Sequence, residues 1–319
     1  MKEIFTSDDY QGLLAIGDPH LEGRVPGFRR DDYPGVILEK LRWALDYARQ
    51  ENLLPLLLGD IFHLPRNNPN WLLVKVIQLL NREIVGIYGN HDVHENRIGQ
   101  DDSISVVAES GRIILLDTET VVKTRIRNRE VIIGGTPWGC KLPDGLDLSG
   151  SRDSGPSVIW LCHHDLKVPG YEEQGYIRPR ELSGIDLVVN GHIHRHLEEV
   201  RKGETLWLTP GSISRRARSD AARSHRPSVL LLEPGEDDWS YKRLEVPHRP
   251  FEEVFYDAVL EEDSEEEGSA FVAGLAELQA RKTETGAGLK NFLEKNLSRF
   301  DEDIAGEVLR LAEEVTDND

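Results

Sequence analysis

Eleven side chains with metal-binding or proton-transfer chemistry fall in five short clusters along the chain. These are Asp18 and His20, Asp60 and His63, Asn90-His91-Asp92, the pair His163-His164, and His192 and His194. The D-x-H and H-x-H spacings put both donors of a pair on the same side of an extended segment. So many carboxylates and imidazoles gathered without partners would be costly. Metal coordination resolves that cost. Imidazole, carboxylate and amide oxygen together suit Mn, Fe or Zn better than Ca or Mg. The donors suffice for two ions, and two ions a few ångströms apart need a shared ligand, which a central Asp can supply.

Each cluster follows a short apolar run. GLLAIGD (12–18), LLPLLLGD (53–60), REIVGIYGN (82–90), SVIWLCHH (157–164) and IDLVVNGH (185–192) all end in polar residues, four of them through glycine. Continuous apolar runs of this length suit strands buried on both faces. Helical periodicity lies between them. Val36, Leu38, Leu41, Leu45 and Ala48 stand at near-helical spacing over 35–50, and Trp71, Val74, Ile77 and Leu80 do likewise over 70–80. Alternating strand and helix makes an α/β domain, whose ligands bind at the carboxyl ends of the strands. From about residue 196 short β-like runs (196–201, 205–209, 227–233, 240–246) predict a second, more antiparallel layer. Residues 269–282, 289–298 and 301–315 read as helices after the charge run EEDSEEEG (261–268).

The 319 residues carry a formal net charge of −19, of which −12 lies in residues 257–319, with eighteen acids against six bases. The chain as a whole is therefore no basic nucleic-acid tail, although a nucleic-acid enzyme stays open. Two cysteines without disulfide spacing, no N-terminal signal pattern and no run near the ~18 apolar residues of a membrane span predict a cytoplasmic protein.

The ordered set DPH (18–20), GD (59–60), GNHD (89–92), a strand-end His and GHIH (191–194) resembles the calcineurin-like metallophosphoesterases, over roughly residues 12–250. GDIFH (59–63) and GSISRR (211–216) are similar to segments of the double-strand-break repair nucleases of SbcD type. The resemblance implies an α/β fold, a β-sandwich flanked by helices (αββα). Its core would span 1–250, with a short acidic helical segment, 251–319, as a reduced cap or partner-binding region. It implies that Asp18, His20, Asp60 and His194 hold a first metal, and Asp60, Asn90, His163 and His192 a second, with His164 the alternative to His163. It makes His91 the group that stabilises the transition state and protonates the leaving oxygen, Asp92 the residue that orients His91, and His63 a neighbour of the scissile phosphate.

The implied activity is that of a Mn-dependent DNA exonuclease or endonuclease working with an SbcC-like coiled-coil ATPase, with a homodimer also possible. A small-molecule or cyclic-nucleotide phosphodiesterase, a protein phosphatase, and a scaffold without catalysis are the alternatives on the same core. Arginines follow the motifs: Arg24, Arg29, Arg30, Arg66, Arg97, Arg178 and Arg180, then Arg215, Arg216 and Arg218 after GSIS. Arg215, Arg216 and Arg218 are the expected contacts to DNA phosphates, since phosphate contacts dominate non-specific nucleic-acid affinity. Pairing with nearby acids is the competing role for such arginines. Trp138 is assigned equally to the rim and to a core gap.

Overall fold

The computed structural model describes residues 1–81, 83–146, 155–235 and 238–256. The three helices expected at 269–282, 289–298 and 301–315 lie outside the described residues. Among the described residues, thirteen strands form two sheets. The first has six: β2 (Gly12–Ile16), β3 (Leu53–Leu58), β4 (Val85–Ile87), β5 (Ile114–Leu115), β12 (Ser228–Pro234) and β13 (Trp239–Glu245), in the order β13-β12-β2-β3-β4-β5. The second has seven: β1 (Lys2–Tyr10), β6 (Thr120–Ile126), β7 (Arg129–Thr136), β8 (Ser157–Cys162), β9 (Leu187–Asn190), β10 (Leu197–Lys202) and β11 (Thr205–Thr209), in the order β1-β6-β7-β8-β9-β11-β10.

The motif-bearing strands are the parallel centres of both sheets, β2-β3-β4 in one and β8-β9 in the other. Each is buried throughout or nearly so, which is why these strands read as unbroken apolar runs. Their alternate side chains enter two different cores. Leu13, Ala15, Leu54, Leu56 and Leu58 meet Ile133, Ile159, Leu161 and Val189 between the sheets. Leu14, Ile16, Leu53 and Leu57 instead face the helices α1 (Tyr33–Gln50), α2 (Asn70–Leu79) and α3 (Ser103–Glu109). Two layers of sheet with flanking helices are the expected α/β architecture. The outer face of the seven-stranded sheet differs. Trp160, Val188 and Trp207 there are covered by loop residues such as Leu142, Leu166, Val168 and Leu182.

One expectation changes. The four late strands form no layer of their own: β10 and β11 extend one sheet, β12 and β13 the other. Each hairpin is antiparallel, so its two strands join at a sheet edge through a short turn and need no crossover. On α2, Leu72, Val76 and Leu80 are buried, while Trp71 and Val74 are 43% and 52% exposed. Seven of its ten residues are apolar, so its sequence supports more than one buried face. Short helices α4 (Asp220–Ser224) and α5 (Phe251–Val254) close the described chain, and Phe251, Val254 and Phe255 pack with Ala222. No helix among the described residues is long and apolar enough to cross a membrane.

Candidate metal centre

The sharp ends of the strands gather the donors. Asp18, His20, Asp60 and His192 all have left-handed backbones, with φ of 46, 47, 48 and 68°. Asn, Asp and His tolerate this region better than other side chains, and such strain concentrates at functional sites. Glycines make room between strands. Gly59 has φ 92°, and a Cβ there would lie 2.5 Å from His163 Nδ1. A Cβ on Gly89 would lie 2.2 Å from Asp60 Oδ1 and 2.6 Å from His163 Cε1.

The donors come from both sheets rather than from one edge, so the centre sits across the top of the sandwich. Asp18, His20, Asp60 and His194 offer ligand atoms within 4.8 Å of one another, and so do Asp60, His163 and His192. Asp60 is common to both groups. Its Oδ2 lies 3.5 Å from His20 Nε2 and 3.4 Å from His163 Nε2. Asn90 joins the second group, its Oδ1 being 3.2 Å from His163 Nε2 and 3.0 Å from His192 Nδ1. His163 lies within the second group, and His164 does not. The His164 side chain enters neither group, and its Nε2 is buried without a partner.

Hydrogen bonds at the far side of each ring reveal which nitrogen is free. His163 Nδ1 is 2.6 Å from the Leu58 carbonyl, which can only accept, so Nδ1 carries the hydrogen and Nε2 is left for a ligand. His192 Nε2 is 2.8 Å from Asp165 Oδ1, which leaves Nδ1 facing Asn90. These are the outer partners that metal-ligating histidines ordinarily have. Two ring nitrogens and an amide oxygen then present lone pairs to one another, an arrangement that a cation between them would stabilise. Asp18 Oδ2 and His20 Nδ1 are also buried without a partner, and two imidazole nitrogens, His20 Nε2 and His194 Nε2, stand 2.9 Å apart. The donor set therefore fits divalent cations.

The protonation pattern agrees. Burial pushes the Asp18 carboxyl up, against the lowering effect of His163. Burial likewise pulls His20 well below the usual imidazole range. Burial also opposes charge on His163, but the Asp60 and Asp18 carboxylates outweigh it and push that ring up to about 9. Asp60 is held well below the carboxylate range because His163 and His91 overcome its burial. Without a cation, a proton on His163 neutralises the carboxylates.

His20, His63 and His91 form a third group. The His63 and His91 rings stack with centroids 4.8 Å apart. Here one expected contact is corrected. Asp92 does not touch the His91 ring: its two oxygens accept from the backbone N–H groups of Ile61, Phe62 and Gly89. Those three bonds pin the ends of β3 and β4 together, and a buried carboxylate takes the backbone donors that lie nearest. His91 is oriented instead by the His63 carbonyl, 2.8 Å from its Nδ1. Its backbone N–H donates to Asp60 Oδ1 at 2.8 Å.

Of the three arginines after GSIS, Arg215 is corrected as well. Arg215 is 5% exposed and donates to the Arg249 carbonyl, so it is withdrawn from any solvent-borne phosphate. Its neighbours Ser212 and Ser214 are buried too, and Ser214 Oγ donates to the Asp18 carbonyl at 3.0 Å, so this segment backs the first ligand group. Arg216 pairs with Glu22 at 2.8 Å, and Arg218 is half-buried. Arg29 and Arg66 pair with Asp31 and Asp102. Arg24, Arg30, Arg97 and Arg178 stay exposed. Trp138 belongs to the rim: it stacks on His192 with centroids 5.1 Å apart, and its Nε1 donates to Asn96. Asp165 was missed by sequence reasoning. Its signal was its place directly after the His pair, as His-His-Asp.

The calcineurin-like phosphoesterase family model matches residues 13–196, more than half of the chain and the span that holds both ligand groups. Among solved structures, a hypothetical protein from Thermus thermophilus is 13% identical with a TM-score of 0.41, the match covering 74% of this chain and 99% of that one. A conserved protein from Streptococcus pneumoniae, described as a predicted phosphoesterase, is 12% identical with a TM-score of 0.33, covering 76% of this chain and 93% of that one. No curated protein matches the chain.

Proposed function

This chain belongs to the calcineurin-like phosphoesterase family and is a metal-dependent phosphoester hydrolase; from that premise we propose that it is a two-metal phosphodiesterase acting on DNA. What supports two ions is the shared carboxylate, Asp60, standing 3.5 Å from His20 Nε2 and 3.4 Å from His163 Nε2. Asp18, His20, Asp60 and His194 would hold one ion. Asp60, Asn90, His163 and His192 would hold the other, with Mn first among Mn, Fe and Zn for this nitrogen and oxygen set. When bound, such ions supply a water activated near neutral pH and positive charge for the phosphate oxygens. The protein residues do the rest. The His63 carbonyl accepts the hydrogen on His91 Nδ1, so Nε2 is the nitrogen that would carry the proton given to the leaving oxygen. Asp92 keeps the β3 and β4 ends in register, so that Asp60 and His91 keep their spacing.

DNA is favoured by GDIFH and GSISRR, and by the exposed Arg24, Arg30, Arg97 and Arg178 on loops flanking the motifs. By the same resemblance an SbcC-like coiled-coil ATPase is the partner, in the cytoplasm. The second reading, a small-molecule or cyclic-nucleotide phosphodiesterase or a protein phosphatase, is favoured by the burial of Arg215 and the pairing of Arg216. Purified full-length protein with Mn is offered a labelled single strand, a labelled duplex and bis-p-nitrophenyl phosphate. Cleavage of DNA as well as the ester supports the nuclease. Cleavage of the ester alone moves the assignment to the second reading.

A further inference from the structure

His192 is the least enclosed imidazole of the second ligand group, its side chain 16% exposed where that of His163 is 0% exposed. It sits on a left-handed backbone with φ 68°. Asp165 touches its ring at Nε2 alone. With Asn90 at Nδ1, the two contacts fix the ring nitrogens but let the ring swivel about the line between them. A flat surface against the ring face removes that freedom, and Trp138 supplies one, its plane 28° from that of His192. His163 meets the same ring edge-on, with centroids 5.1 Å apart.

The indole is itself held. Its Nε1 donates to Asn96 Oδ1 at 3.0 Å, and the Trp138 backbone N–H donates to the Tyr88 carbonyl at 3.2 Å. Gly139 follows with φ 77°, and a Cβ there would lie 2.5 Å from the Asn96 carbonyl oxygen. The turn after β7 is thus docked on the loop that carries Asn90, and it brings its indole against a ligand delivered by β9. Among the described residues the first group has no such contact: His20 is buried and hemmed by His91 and His194 at ring distances of 4.8 Å.

We propose that Trp138 is a positioning residue for His192, which sets the affinity of the second ion and leaves that of the first alone. The inference rests on the two-ion reading above. The full chain, stripped of metal, is titrated with Mn, and free Mn is followed by electron paramagnetic resonance. The wild type should take two ions. Trp138→Ala should weaken the second by roughly 10–100-fold, the usual effect of losing an outer partner of a metal ligand, with the first unchanged. Trp138→Phe keeps a flat face and should restore most of the loss. Should Trp138→Ala fail to fold, Asn96→Ala carries the same test, with a smaller loss confined to the second ion. Equal weakening of both ions, or of neither, would overturn the inference while leaving the two-ion reading intact. A wild type that binds fewer than two ions would refute that reading and this one with it. Indole emission gives an independent check. Mn should quench it as the second ion binds, and Trp138→Phe should lack that quench. Quenching that follows the first ion would also overturn the proposal.

Discussion

Gly89→Ala tests how tightly the strand ends are packed around Asp60. Gly89 does not have a positive φ, so alanine meets no backbone strain and the added methyl is the whole perturbation. That methyl would lie 2.2 Å from Asp60 Oδ1, 2.5 Å from the Asp60 amide nitrogen and 2.6 Å from His163 Cε1. Ordinary contact is about 3.5 Å, so Asp60 and β4 must separate by roughly 1 Å. Metal-ligand distances tolerate about 0.2 Å, several times less than this shift. Because Asp60 is common to both groups, both ions should be affected. Mn affinity, measured by isothermal titration, should fall by about 10²-fold or more, the scale on which a 1 Å misplacement is felt at active sites. Overpacking costs about 1–3 kcal/mol, so the metal-free variant should stay folded, melting several degrees lower. Gly27→Ala is the control, with nothing within 4 Å of its Cβ. A folded Gly89→Ala that binds Mn like the wild type would refute the reasoning.

His91→Ala should cut turnover of a small phosphodiester by roughly 10²–10⁴-fold with Mn content kept; loss of the metals would make His91 a ligand. Asp165→Asn should weaken Mn binding by about 10–100-fold, and an unchanged titration would deny Asp165 its role on His192. Between pH 7 and 9 the metal-free fold should lose stability. His163, raised to about 9, and Asp18, also raised, keep protons that the unfolded chain has already released, so the native state binds more protons and stability falls as pH rises. Melting of the chelated protein across that range checks this, and a melting temperature that rose with pH would contradict it. Mn binding should release those protons and tighten with pH.

Donor chemistry was the most legible part of the chain, because each donor follows an apolar run that can hardly be anything but a buried strand. Hydrogen-bond choices were less legible. Asp92 adjoins His91 in sequence, but a buried carboxylate flanked by three free backbone N–H groups binds those first. Arg215 looked like a phosphate contact because arginine type says nothing about burial, and the Arg249 carbonyl that takes it lies 34 residues away. The pairing of Asp165 with His192 spans 27 residues in the same way. Trp71 and Val74 share the helical spacing of α2 yet stay exposed, because a helix apolar on most sides has no single face to read. The late hairpins were visible as strands, but which sheet they extend depends on neighbours that local patterning does not encode.

The central claim is that Asp60 serves two ions at once. A crystal structure of the protein grown with Mn, with anomalous difference maps at the metal edge, tests it most directly. The account predicts two peaks about 4 Å apart, with Asp60 touching both, Asp18 on one side and Asn90 on the other. A single peak at full Mn occupancy, or an Asp60 turned away from both, would contradict it.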